Sequence, residues 1–277
     1  MRICDAFRVA LVLAALGAAA PAMAFEPTPE LNSPAAVFAY GYNAYREGDY
    51  ATALGAIEYA ADRGYTAAQW LLGRMYAQGK GVDRDDRRAF EFFARIVAEH
   101  GGERRDAVET AFVADAFVAL GDYYRAGGQA IGPVDFDAAF EMYRTAAVNF
   151  GDTDAQYNVA VMLYQGEVGM VDPAEAVRWA RVAADAGNAR AQALLGYFLF
   201  MGEGIAREPV VGLAYLHYAR ARTGGTDTEI QRYHEEAMAL ATESERRTAM
   251  ELANGWLTAI SDSAAAEPAA ELADVRP

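Results

Sequence analysis

The side chains able to do chemistry are few, and their spacing does not assemble a reaction. Beyond residue 24 the serines are Ser33, Ser244, Ser261 and Ser263. None stands in the Gly-x-Ser-x-Gly setting that presents a nucleophile on a strand-to-helix turn, and Ser33, Ser261 and Ser263 read as coil. The single cysteine, Cys4, precedes the first apolar run. The chain beyond Cys4 therefore offers no thiolate nucleophile, thiolate metal site or disulfide. The three histidines, His100, His217 and His234, read as far apart and in separate units. His234-Glu235-Glu236-Ala237-Met238 begins like the zinc motif His-Glu-x-x-His, but Met238 takes the place of the second ligand. What such histidines can still do is titrate near pH 6.5 as pH sensors. The run from Asp83 to Arg88 mixes signs and lacks the ligand order and central glycine of a calcium loop, so it reads as charges pairing around a helix start. Gly202-Glu203-Gly204 lacks the third glycine and preceding strand of a dinucleotide site and reads as a connector. These residues predict no enzyme, no metal and no cofactor.

The distinctive content is aromatic, 16 Tyr and 13 Phe, and it returns in a frame. Ala68-x-x-x-Leu72-Gly73-x-Met75-Tyr76-x-x-Gly79 recurs as Ala116-x-x-x-Leu120-Gly121-x-Tyr123-Tyr124-x-x-Gly127. It recurs again from Ala155 to Gly166 and from Ala191 to Gly202, with a shorter copy from Phe38 to Gly48. Gly41, Gly73, Gly121, Ala160 and Gly196 are 32, 48, 39 and 36 residues apart. Apolar and small residues at i, i+4, i+7 and i+8 place one face of a helix inward. Gly79, Gly127, Gly166 and Gly202 suit the left-handed residue that ends a first helix, and Gly64 and Gly187 that of a second. Asp152 or Thr153 suits a helix start. The mid-helix small residue has a propensity cost of up to about 1 kcal/mol, which a close helix crossing would offset. Phe92, Tyr143 and Trp179 return at the frame's core positions.

Such a period predicts an all-α, right-handed solenoid of about five helix-turn-helix units. First helices usually line a solenoid's inner face, and aromatic anchors dominate interfaces. Tyr42, Tyr45, Tyr76 and Tyr124 are thus the candidate partner contacts. Residues 1–24 read as a secretory leader: Arg2 and Arg8, a 12-residue apolar run from Val9 to Ala20, and an Ala22-Met23-Ala24 cleavage site before Phe25. The run is too short to span a bilayer, which takes roughly 20 residues. Residues 25–35 then form a linker, 36–227 the repeats, 228–260 capping helices and 261–277 a disordered tail. Gly101-Gly102-Glu103-Arg104-Arg105-Asp106 reads as a solvated break between units, of the polar kind that proteases nick. The formal charge of −15, or −16 without the leader, repels phosphate backbones and anionic membranes. No nucleic acid and no membrane insertion after cleavage are expected.

The frame resembles the Sel1-like repeat, a relative of the tetratricopeptide repeat, most fully from Ala68 to Gly101. Four further stretches resemble the ExoR family of exopolysaccharide regulators of alphaproteobacteria. They are Phe38 to Tyr45 leading into Tyr59 to Gly64, Ala119 to Tyr124, Phe150-Gly151 with Asp154 to Tyr157, and Ala239 to Glu243 with Arg246-Arg247. This resemblance implies a periplasmic negative regulator that binds the sensing domain of a membrane histidine kinase, holds it inactive and so controls exopolysaccharide synthesis. The family carries no catalytic residues over. A general periplasmic scaffold or envelope-assembly adaptor is the competing expectation.

Overall fold

The computed structural model describes residues 25–100, 107–129 and 131–264. The expected leader and its cleavage residue Ala24, the break at 101–106 and the tail beyond 264 lie outside these residues.

The described chain is helical throughout, with no strand. Five helix pairs succeed one another: α1 (Pro34–Glu47) with α2 (Tyr50–Ala61), α3 (Thr66–Gln78) with α4 (Asp86–His100), and α5 (Ala107–Ala126) with α6 (Phe136–Thr145). The series continues with α7 (Thr153–Gln165) and α8 (Pro173–Asp185), then α9 (Ala189–Met201) and α10 (Pro209–Arg222). α11 (Thr228–Leu240) and α12 (Glu243–Ala264) close the chain. α12 carries Ser261 and Ser263, expected as coil, and Ser33 is the N-cap of α1.

Local chemistry sets the boundaries. Side chains of Asp49, Asp135, Asp152, Asp172, Asn188 and Asp227 accept backbone N–H groups at the starts of α2, α6, α7, α8, α9 and α11, which satisfies donors the helix itself leaves unpaired. The frame glycines close the other ends: Gly79, Gly166 and Gly202 are left-handed C-caps of α3, α7 and α9. α6 relaxes into a π-helical turn over Ala146–Phe150 before Gly151 stops it. The run before α4 pairs internally as expected, Arg84 with Asp86 at 3.1 Å and Arg88 with Asp85 at 3.5 Å.

The mid-helix glycines mark the crossings. A Cβ on Gly73 would stand 2.8 Å from the Phe93 ring, and one on Gly121 2.5 Å from the Tyr143 ring. Gly196 and Gly212 face each other, so that a Cβ on Gly212 would meet the Gly196 carbonyl oxygen and the Phe200 nitrogen at 2.5 Å each. Close packing of backbones returns as dispersion and buried area what glycine loses in helix propensity. Two core clusters result. One runs from Ala44 through Phe93 and Tyr143 to Met162, the other from Tyr157 through Leu194 and Leu216 to Ala253. They meet on α7, whose Val159 and Met162 belong to the first and whose Tyr157, Ala160 and Val161 belong to the second.

Candidate partner-binding groove

The first helices α3 and α5 pack together and leave a groove of about 480 Å³ that reaches the start of α7. Trp70, Arg74 and Gln78 of α3 form one wall at i, i+4 and i+8. Asp115, Val118, Asp122 and Tyr123 of α5 form the other, with Asp154 of α7 at one end and the buried Phe93 ring of α4 beneath. The arrangement is an apolar strip bordered by three carboxylates and one guanidinium. Arg74 is occupied in part by Trp70, its Cζ 4.9 Å from the ring centroid.

Electrostatics sharpen this picture. Burial, helped by nearby Asp152, raises the Asp115 carboxyl to about 7, with Arg74 pulling the other way. Burial also raises Asp122, although it accepts a 2.6 Å hydrogen bond from the Tyr143 hydroxyl and lies near Arg125. These carboxylates lack enough positive charge from the protein itself, and a cationic group entering the groove would supply it. Among the described residues there is no cluster of three or more His, Cys, Asp or Glu able to hold a metal.

The tyrosines singled out from the sequence are positioned elsewhere, and none lines this groove. Tyr76 is buried, stacks on Phe92 with centroids 5.9 Å apart, and accepts a 2.9 Å hydrogen bond from Arg88 of α4. Tyr124 meets Phe90 of α4 edge-on at 5.5 Å. Both turn toward second helices because their frame position belongs to the apolar face. Tyr42 and Tyr45 join Phe38 in an aromatic row along α1, where Tyr45 meets Tyr50 and lies under the Lys80 ammonium at 4.5 Å. Phe25 packs against Tyr40 and Tyr59, each at 5.9 Å. The groove residues sit instead at positions the frame leaves open: Asp115 and Asp154 just before its alanine, Trp70 and Val118 two after it, Arg74 and Asp122 just after its glycine.

One sequence expectation fails outright. His217 and His234 are not apart: His234 Nε2 lies 3.0 Å from His217 Nδ1, because α10 and α11 pack together. Burial and then Arg220 lower His217, and burial, His217 and Arg220 lower His234 to about 4, so the pair is neutral at neutral pH.

Polar contacts tie successive units along the chain. Arg125 forks onto Glu167 at 2.8 and 3.1 Å, and Arg190 reaches Asp227 at 2.7 Å. Tyr197 donates to Glu236 at 2.9 Å. Tyr157 of α7 donates to Glu229 of α11, past the intervening α9.

Stacked helix pairs crossing at small residues, with a groove along their first helices, define an α-solenoid built from Sel1 repeats. The Sel1 repeat pattern matches residues 66–97, 114–147, 153–188 and 189–224, the pairs from α3 to α10. A solved Sel1 repeat protein from Oxalobacter formigenes is 25% identical, with a TM-score of 0.56 over 72% of this chain and 74% of its own. An exopolysaccharide production negative regulator of Rhizobium meliloti (strain 1021) is 36% identical over 239 residues, 84% of this chain and 87% of the relative. One of the same description from Rhizobium leguminosarum bv. viciae is 32% identical over 256 residues, 91% and 94% of the two chains. The chain belongs to this family of Sel1-repeat exopolysaccharide production negative regulators.

Proposed function

We propose that the protein acts in the periplasm, after loss of its leader, by seating the sensing domain of a membrane histidine kinase in the α3–α5–α7 groove and holding the kinase inactive, so restraining exopolysaccharide synthesis. Sel1 repeats are protein–protein interaction modules, and the relatives are negative regulators by name. The observation that carries the reading is the groove itself. Its apolar floor can desolvate an aliphatic or aromatic anchor, and Asp115, Asp122 and Asp154 fit a partner segment bearing Lys or Arg. Opposite charge across a rim mainly sets association rate and salt dependence, while the apolar anchor sets lifetime.

Biolayer interferometry of the purified protein against the kinase periplasmic domain tests this. Binding should weaken as salt rises, since exposed charges are screened within about 8–10 Å at ordinary ionic strength. Val118→Lys, which puts a cation in the groove, should reduce affinity at least tenfold, roughly 1.4 kcal/mol, measured at a temperature where circular dichroism shows the variant folded. Full binding by folded Val118→Lys would remove the groove from the interface. No binding of the wild-type protein at micromolar concentration would remove the kinase and leave a scaffold or adaptor role.

A further inference from the structure

The C-terminal end of the solenoid carries a feature that the groove does not use. In a chain with 39 acidic residues against 24 Lys and Arg, four basic side chains converge where α10, α11 and α12 meet. They are His217 and Arg220 of α10, His234 of α11 and Arg246 of α12. Two hollows flank Arg220. One, of about 290 Å³, is lined by His217, Arg220, Gly224, Gly225 and Asn254 among others. The other, of about 440 Å³, is lined by Arg220, His234, Glu235, Met238 and Arg246 with Ala239.

Seven arginines elsewhere reach carboxylates: Arg84, Arg88, Arg125, Arg144, Arg178, Arg190 and Arg232. Arg220 and Arg246 have no such partner among the described residues; exposed arginines such as Arg87, Arg181 and Arg247 also lack one, but Arg220 and Arg246 line the hollows. Arg246 Nε and His217 Nε2 are shielded from water and have no hydrogen-bond partner. Arg246 Nε–H is a donor in every state, and burial leaves it unpaired. The one acid on the rim, Glu235, is exposed. Arg220 and the two rings thus face one another with nothing negative between them, and this is part of why both imidazoles resist protonation.

We propose that this junction is an oxyanion-binding site that takes a phosphate-type group. Its oxygens accept from the Arg220 and Arg246 guanidiniums and from the one N–H that the neutral, mutually hydrogen-bonded histidine pair leaves free. Donors arriving from three helices match a tetrahedral group with several acceptor oxygens better than a planar carboxylate. Guanidinium forks form the stronger, charge-assisted bonds to such groups. A group bound here bridges α10, α11 and α12 and stabilises their packing.

The test is calorimetric titration of the purified protein with inorganic phosphate, sulfate, glucuronate and chloride at matched ionic strength. Phosphate and sulfate should bind and chloride should not. Arg220→Gln should raise the phosphate Kd about tenfold or more. Nitrogen NMR of the histidine rings should show phosphate moving His217 and His234 toward protonation, a readout that needs no variant to fold. Co-sedimentation with phosphatidylglycerol vesicles against phosphatidylcholine vesicles separates a lipid headgroup from a soluble phosphate as the source. The inference fails if phosphate gives neither heat nor ring shifts, if chloride does as well, if glucuronate binds more tightly, or if folded Arg220→Gln binds phosphate unchanged. None of these outcomes bears on the groove or its partner.

Discussion

Gly212→Ala tests the packing that builds the solenoid. The new Cβ would stand 2.5 Å from the Gly196 carbonyl oxygen and 2.5 Å from the Phe200 nitrogen, where ordinary contact begins at 3.4 Å. Both obstacles are backbone, so no rotamer change relieves them. α9 and α10 must part by about 1 Å, and the buried Leu194, Phe198, Leu213 and Leu216 between them lose contact. Overpacking of this kind costs about 1–3 kcal/mol. Alanine returns at most about 1 kcal/mol of helix propensity. With two backbone clashes the upper part of the range applies, and the expected net loss is about 2 kcal/mol. Gly255→Ala in α12 is the control, because a Cβ there meets nothing within 4 Å. It should gain about 0.5–1 kcal/mol. Gly73→Ala, whose obstacle is the edge of the Phe93 ring, should fall between them. Urea unfolding monitored by circular dichroism gives all three. Equal stability of Gly212→Ala and the wild-type protein, with Gly255→Ala stabilised, would show that α9 and α10 do not cross at this distance.

Asp115→Asn should flatten the pH dependence of stability. With its carboxyl raised to about 7, the folded state holds a proton between about pH 4 and 7 that the unfolded chain releases. This group therefore lowers stability as pH rises through that window, and Asn removes the loss; melting curves of equal slope with pH in both proteins would refute it. Trp256→Ala removes the ring that docks α12 on Tyr215 at 5.0 Å and Tyr218 at 5.9 Å. A loss of about 2 kcal/mol is expected, below the 3–5 of a fully buried aromatic, with hydrogen exchange in α12 accelerating first. Arg125→Met breaks the fork onto Glu167 and should cost about 1–2 kcal/mol, of which Arg125→Met with Glu167→Leu recovers part in a double-mutant cycle.

The glycine frame makes the fold legible in the sequence alone. Gly79, Gly166 and Gly202 close helices because only a residue without Cβ takes their left-handed backbone cheaply. Gly73, Gly121 and Gly196 lie at crossings because a side chain would not fit. The binding surface is harder to read for the same reason. A position that is apolar in every copy packs between the copies' own helices, which is where Tyr76 and Tyr124 are found, with Leu163 and Leu199 as their counterparts. The groove is lined by what differs between copies, Arg74 in one and Asp122 in the next, and a search for regularity passes over such positions. The histidine pair is hidden differently. Its members are 17 residues apart on two helices, and only the register of α10 against α11 brings the rings together.

The bond from Tyr157 to Glu229 bears on how the protein comes apart. A stack whose units touch only their neighbours can fray one unit at a time from either end. Here the closing helix is fastened to the unit two steps back, like a strap passed over the penultimate link. Peeling α11 loosens α7 as well as α9, and α7 is where the two cores meet. Release of α11 therefore costs contacts with α7 as well as α9, and the α7–α11 block is expected to open more cooperatively than the α1–α2 end frays.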